Sequence, residues 1–392
     1  MHKFARLLPA PPMRFFVLAA LAIGAGGRAT AQQPAVLFDS VVETLERRYY
    51  DAEFRRERLP ALVRTYRPLA LLAKGRNAEK AVVDRMLAEI PVSHLALISE
   101  SAYEHLMAEL MGRDVETFGF ELVRLPQGWF ATKIKEGGPA ACAGLLRGDR
   151  IIALDGGDPG AHPRLDWSTD DAALPDPPIH DLLTDPGADL VVEFERQPGV
   201  RMAVRIEVAE YSSMRAARAS ARVIEHGGKR FGYLHFWYLH EGGIDALLRD
   251  KLRGDFRGCD GLILDLRGRG GFAHLVMALI RVLEKDLAGM PMVALIDRGT
   301  RSGKEVVAWE IHDRKLGLLV GETTAGAVIP ATFDPVDDDA VLMYPTMTLG
   351  NHTKRLEGVG VAPDVEVKDA LAFAAGHDPI LAGALRVLGE DR

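Results

Sequence analysis

Hydrophobic positions fall into three regimes along the chain. Between residues 35 and 112 their spacing is helical. Val36, Leu37, Val41, Leu45 and Tyr49 share one face, Leu62, Val63 and Tyr66 a second, and Val82, Val83, Met86, Leu87 and Ile90 a third. Pro60, Pro68 and Lys74-Gly75 are expected to break these segments, and Val92-Ser93-His94-Leu95 reads as a turn into a short apolar stretch. From 113 to 210 the pattern becomes strand-like at 118–122, 129–134 and 190–194, with a small helix opening at Gly138-Pro139 and a turn at Gly148-Asp149 entering a strand. Residues 156–178 are rich in Gly, Pro and Asp and read as a long loop, with a short helix expected at 179–183. From 222 to 368 strands at 231–237, 262–266, 292–296 and 318–320 alternate with helices at 244–252, 275–287 and 302–311. That alternation implies an α/β fold with parallel crossovers. Residues 379–388 close the chain as a further helix.

Ahead of these regimes stands a different signal. Lys3, Arg6 and Arg14 precede an apolar run from Phe15 to Ala25, and Ala29-Thr30-Ala31 offers a small-x-small cleavage site. This is the form of a secretory signal peptide, and it predicts a periplasmic or secreted protein. An uncleaved anchor is the alternative, but the run is short for a membrane span and no later stretch is long enough. The expected organisation is therefore a signal peptide over 1–31, a helical region over 32–112, a β-rich module over 113–210, an α/β core over 211–375 and a helical tail over 376–392.

Composition narrows the function classes. With 48% hydrophobic residues and two cysteines, Cys142 and Cys259, the chain is neither disordered nor a disulfide scaffold. A net charge of −7 without a basic stripe argues against a nucleic-acid partner. No metal-ligand spacing is present, Asp337-Asp338-Asp339 reads as a solvated turn, and no cofactor is expected.

In α/β sheets reactive groups gather in the turns after strand ends. Two such turns stand out: Arg267-Gly268-Arg269-Gly270-Gly271 and Asp297-Arg298-Gly299-Thr300-Arg301-Ser302-Gly303. The first could aim backbone N–H groups into a cavity, and it matches neither a P-loop nor a dinucleotide fingerprint. The second puts Ser302 at a helix N-terminus. A serine hydroxyl beside N–H groups of Gly303, Gly270 and Gly271 is what acyl transfer requires, the N–H groups serving as an oxyanion hole. Taken alone, the turn favours the plainer reading, in which Ser302 is a helix cap. A nucleophilic serine also needs a base, and spacing does not choose among His94, His274 and His352.

Taken together, these motifs resemble the C-terminal processing (tail-specific) serine peptidase family. The resemblance covers the helical region from Val36 to Asp51, and a PDZ-like pattern over 115–209, clearest at Gly144-Leu145 and Gly148-Asp149-Arg150-Ile151. It continues through Leu264-Asp265-Leu266-Arg267-Gly268-Arg269-Gly270-Gly271, Val320-Gly321-Glu322-Thr323-Thr324-Ala325-Gly326 and Leu356-Glu357-Gly358-Val359-Gly360-Val361-Ala362-Pro363-Asp364. It implies a crotonase-like core of ββα units. Many members use a Ser-Lys dyad, but Ala327 stands where that lysine would be and Ala331 where its supporting glutamine would fall. The tricorn-type branch instead implies Ser302 as nucleophile, His94 as base, Ser93 orienting the imidazole and Glu357 orienting Ser93. It also implies a peptide or protein substrate held through its C-terminus by strand addition, with Phe118, Gly119 and Phe120 near the carboxylate loop. Arg301, Lys304 and Phe272 depart from the small residues usual there. They motivate the alternative of a catalytically inactive peptide- or ligand-binding protein on the same fold, with acyl transfer to a non-peptide ester or amide as a third reading.

Overall fold

The computed structural model describes residues 35–167 and 178–390. The proposed signal peptide and part of the expected 156–178 loop lie outside the described residues.

The chain opens with helices α1 (Val36–Arg48), α2 (Ala52–Glu57), α3 (Leu59–Leu72) and α4 (Arg76–Ala88), followed by strand β1 (Ala96–Ser99) and helix α5 (Glu100–Leu110). The helical spacing of α1 buries Leu37, Phe38, Val41, Val42 and Leu45. Pro60 sits in the first turn of α3, where its missing N–H costs nothing. Pro68, expected to end a segment, lies inside α3 instead. The helix continues through it because Tyr66 and Ala70, on either side, are both buried in the shared core.

Next comes a seven-stranded antiparallel sheet in the order β6-β7-β3-β4-β5-β8-β9. Its members are β3 (Phe120–Leu125), β4 (Gly128–Ile134), β5 (Arg150–Leu154), β6 (Leu165–Trp167), β7 (Ile179–Leu182), β8 (Asp189–Gln197) and β9 (Val200–Glu207). The short strands β2 (Val115–Thr117) and β10 (Ala209–Tyr211) pair at its neck, and helix α6 (Pro139–Cys142) covers it. The segment expected as a helix at 179–183 is strand β7. Its Ile179 and His180 pair with Val123 and Leu122 of β3, while His180 to Leu182 pair with β6. Two flanking strands offer this segment ladders on both edges, and that pairing outweighs a single isolated helical turn, which is costly to nucleate.

The remaining sheet has the order β11-β12-β13-β14-β15-β18. Strands β11 (Arg222–His226) and β12 (Lys229–His235) form an antiparallel hairpin after helix α7 (Ser213–Ser220). From β12 the pairing is parallel through β13 (Gly261–Asp265), β14 (Met292–Ile296), β15 (Leu318–Gly321) and β18 (Val365–Glu366). Helices α8 (Ile244–Arg253), α9 (Val276–Asp286) and α10 (Gly303–Asp313) provide the crossovers. The continuous apolar runs of β13 and β14 follow from burial on both faces. Leu262, Leu264, Met292, Ala294 and Ile296 join the core under these three helices. Ile263, Val293 and Leu295 face the opposite core, which the last helix, α12 (Pro379–Gly389), closes with Ile380 and Ala384. The expected helical tail is thus a layer of the α/β unit.

A hairpin, β16 (Ala331–Asp337) and β17 (Ala340–Pro345), leaves this unit before helix α11 (Asn351–Leu356). β1 adds to it as a third strand, with Ala96 opposite Met343. Val336, Ala340, Leu342 and Tyr344 of the hairpin share one core with α1, α3 and α4. This shared core brings the turn before β1 to the α/β unit.

Candidate active site

Strands β13 and β14 run side by side, so the turns leaving their C-terminal ends are neighbours. Asp297 ties them together by accepting the N–H groups of Gly268 at 2.8 Å and Gly299 at 3.0 Å. The base of the glycine turn is held by Arg267, whose guanidinium bridges Asp265 at 2.6 Å and Asp378, the N-cap of α12, at 2.6 Å. Burial alone would push the Asp265 carboxyl up, but the Arg267 charge overrides it and holds Asp265 well below the usual carboxylate range.

Ser302 occupies the N-cap position of α10 in a conformation rare for a side-chain-bearing residue, with φ 54° and ψ −133°. Its hydroxyl caps no backbone N–H. The helix-cap reading therefore does not account for this serine. Backbone strain of this kind is held only where surrounding contacts over-determine it; here the Ser302 N–H donates to the Ala327 carbonyl at 2.7 Å. The glycine turn packs directly against it: a methyl group added to Gly270 would lie 2.8 Å from Ser302 Cβ. Leu239 takes the Gly270 carbonyl and offers its own to the Phe272 N–H, while among the described hydrogen bonds none engages the N–H of Gly271 or Gly303.

A cavity of about 160 Å³ opens over this corner. Its lining includes Ser302, Gly270, Gly271, Arg301 and Ala327 from the α/β unit and His94 from the turn before β1. Ser93 Oγ lies 2.9 Å from His94 Nδ1. Glu357 reaches the same turn through one oxygen, which accepts the Ser93 backbone N–H at 2.9 Å, and its other oxygen accepts the N–H groups of Val328 and Ile329. The expected link from Glu357 to Ser93 thus runs through the backbone rather than the hydroxyl. One carboxylate pins the histidine turn to the segment beside Ser302. Burial, and then the nearby positive charge of Arg301, lowers the His94 pKa to about 3, so the imidazole is neutral at physiological pH.

The other candidates lie elsewhere. His274 pairs with Glu241 at 2.7 Å and His352 with Glu310 at 2.9 Å, and neither lines the cavity. Lys304 points beneath the turn, its Nζ donating to the carbonyls of Gly268 at 2.9 Å and Arg267 at 3.2 Å, and burial holds its pKa well below the usual lysine range. Ala327 and Ala331 both line the cavity, so no lysine or glutamine replaces them from those positions. Sequence reasoning missed Glu305. One of its oxygens accepts Thr324 Oγ1 and the Gly326 N–H, the other the Ala327 N–H at 2.7 Å. Burial pushes this carboxyl up to about 7 against the pull of those donors. Its place one turn beyond Ser302 was a usable signal, since a helix-start acid often binds a neighbouring loop's N–H groups.

Phe118, Gly119 and Phe120 are not at the cavity. The two phenylalanines are buried in the core of the seven-stranded sheet, and the Gly119 N–H is taken by Thr117 Oγ1. β3, which begins at Phe120, is paired with β7 at Leu122 and Val123. The sheet touches the site by another route. Arg269 of the glycine turn forms an ion pair with Glu121 of β3, lies 4.0 Å from Asp181 of β7, and donates to Tyr238 Oη at the cavity wall.

Comparison with known proteins agrees with this architecture. Residues 281–367 match the model of peptidase family S41. The chain is 26% identical over 283 residues to the chloroplastic C-terminal processing peptidase of Tetradesmus obliquus, a match covering 65% of this chain and 59% of that protein's length. The photosystem II D1 C-terminal processing protease shares the fold at a TM-score of 0.51 and 19% identity, covering 93% of this chain and 98% of that one. The tricorn protease does so at 0.55 and 18%, covering 91% of this chain and 36% of that one. The family's segment falls on α9 through β18, the elements that carry Ser302 and Glu357.

Proposed function

We propose that the chain is an extracytoplasmic serine endopeptidase that cleaves peptides or protein C-terminal tails through an acyl-enzyme. Ser302 Oγ attacks the scissile carbonyl while His94 accepts its proton, forming the tetrahedral intermediate. The N–H groups of Gly303, Gly270 and Gly271 receive the negative oxygen. His94 then returns the proton to the leaving amine, and water hydrolyses the acyl-Ser302 ester by the same base in reverse roles. Ser93 and Glu357 are positioning residues that fix the imidazole. The observation that carries this reading is the meeting of an uncapped Ser302 hydroxyl, a neutral His94 and the glycine turn around one cavity. The seven-stranded sheet would be the PDZ-like module, and the leader over 1–31 would direct export.

The second reading is a non-catalytic ligand-binding protein, favoured by Phe272 and Arg301 on the cavity wall. The test is incubation of residues 32–392, wild type and Ser302→Ala, with a mixed peptide library, reading new termini by mass spectrometry and labelling Ser302 with a fluorophosphonate. Cleavage and labelling by wild type only support the peptidase. Neither signal from wild type, with peptide binding retained, supports the binder.

A further inference from the structure

The last strand of the seven-stranded sheet, β9, pairs with β8 along its whole length and has no strand on its other side among the described residues. An open edge of this kind is a template for another strand, and native edges are commonly blunted by proline, by charge or by brevity. β9 runs for eight residues and carries no proline. Its even positions, Val200, Met202, Val204 and Ile206, share one face of the strand. Met202, Val204 and Ile206 stand opposite Phe194, Val192 and Leu190, all buried in the core of the sheet. That apolar face runs off the edge uncovered, with Val200 51% and Met202 42% exposed. The odd positions, Arg201, Ala203, Arg205 and Glu207, are exposed on the opposite face.

The order of these charges is self-complementary, and from it we propose that the β9 edge is a dimerisation surface, on which a second copy of this chain adds its own β9 antiparallel. A two-fold axis at Val204 sets Arg201 of each copy opposite Glu207 of the other, and Met202 opposite Ile206. Opposite charges then meet on one face and apolar side chains on the other. An axis at Ala203 would set Arg201 opposite Arg205 twice, and an axis at Arg205 would set that residue against its own copy. Like charges directly opposite are destabilising. A one-residue slip would set apolar positions opposite charged ones. Both cations are already aligned along this edge, since Arg205 pairs with Asp189 of β8 and Arg201 lies 3.8 Å from Glu195. Eight paired residues span about 27 Å at ~3.4 Å each. Such a ribbon buries less than the roughly 1,600 Å² of a standard interface, so the dimer is a weak one that forms at micromolar concentration. No residue of β9 lines the cavity, so the dimer does not depend on the peptidase reading.

Sedimentation velocity of the purified chain from about 1 to 200 µM reads this association directly. Wild type should pass from monomer to dimer over that range. Glu207→Arg sets two Arg–Arg pairs across the axis, and Arg201→Glu sets two Glu–Glu pairs. Each variant alone should therefore raise the dimer Kd by about tenfold or more. Mixed in equal amounts, the two variants restore both opposite-charge pairs, and the mixture should dimerise as wild type does. Thermal melts establish that each variant is folded. Glu207→Arg faces Asp189 across the β8 ladder and carries the test alone if Arg201→Glu, which faces Glu195, fails to fold. Wild type that stays monomeric throughout the range overturns the assignment, even where that monomer captures an extended peptide along the edge. A dimer that Glu207→Arg leaves intact overturns it as well, and so does a mixture of the two folded variants that remains monomeric.

Discussion

A single methyl group at Gly270 tests the geometry of the site more sharply than removal of the nucleophile. Gly270 is not in the left-handed region, so an alanine can adopt its backbone conformation. The added Cβ, however, would stand 2.8 Å from Ser302 Cβ and 3.5 Å from Ser302 Oγ. Ordinary contact begins near 3.4 Å, so Ser302 and the turn must separate by ~0.6 Å, the difference between 3.4 and 2.8 Å. A misplacement of about 1 Å costs roughly a hundredfold in rate, so Gly270→Ala should lower kcat by about ten- to a hundredfold. Its stability should change little, since alanine also restricts the unfolded chain by about 0.4–1 kcal/mol. Gly271→Ala is the contrast. Gly271 has φ +137°, and a Cβ there would meet the Leu239 backbone nitrogen at 2.3 Å, so this variant should lose both activity and thermal stability. The assay is kcat and KM on one cleaved peptide beside thermal melts of the three proteins. Gly270→Ala with wild-type kcat and an unchanged melt would refute the claim that this turn packs against the reacting serine.

Other outcomes follow from the same contacts. With the His94 pKa lowered to about 3, the imidazole gives up its proton more readily than a free one. The pH profile of kcat/KM should therefore stay flat from neutrality to well below pH 6.5, and Arg301→Gln should move its acid limb upward. Burial also lowers the pKa of His240, wholly enclosed against Ser213, to about 3. The unfolded chain protonates this histidine as pH falls through 6.5 while the folded chain does not, so stability should drop by up to about 1.4 kcal/mol per pH unit down toward pH 3; a flat denaturant midpoint over that range in wild type, matched by His240→Gln, would contradict this. Glu357→Ala strands the N–H groups of Ser93, Val328 and Ile329, and should lower kcat far more than KM, with a stability loss of about 1–3 kcal/mol read by denaturant unfolding. Lys304→Met should cost much less activity than His94→Ala, because Lys304 serves turn carbonyls rather than the reacting hydroxyl; the reverse order in kcat would restore lysine as the base.

Much of the α/β unit was legible because its signals are local. The runs in β13 and β14 are apolar on both faces, and the helices between them carry one apolar stripe each, so period alone located them. The glycine turn and Ser302 were legible for the same reason, since strand ends and a helix start are marked in the chain itself. Three features were not. β7 became a strand because β3 and β6 flank it, and no four-residue segment announces its neighbours. Pro68 stayed within a helix because a buried face outweighed one lost hydrogen bond. Arg301 and Lys304, two basic residues near one serine, both departed from the small residues usual there, and the chain alone did not place either side chain. The fold turns Lys304 beneath the glycine turn and leaves Arg301 on the cavity wall. The sequence by itself determined which residue types stand at the strand ends and that a serine begins α10. Tertiary structure alone decided that the turn carrying His94, more than two hundred residues earlier, meets that serine. It does so because β1 completes the β16–β17 hairpin and the first helices share its core, a long-range burial to which local periodicity is blind.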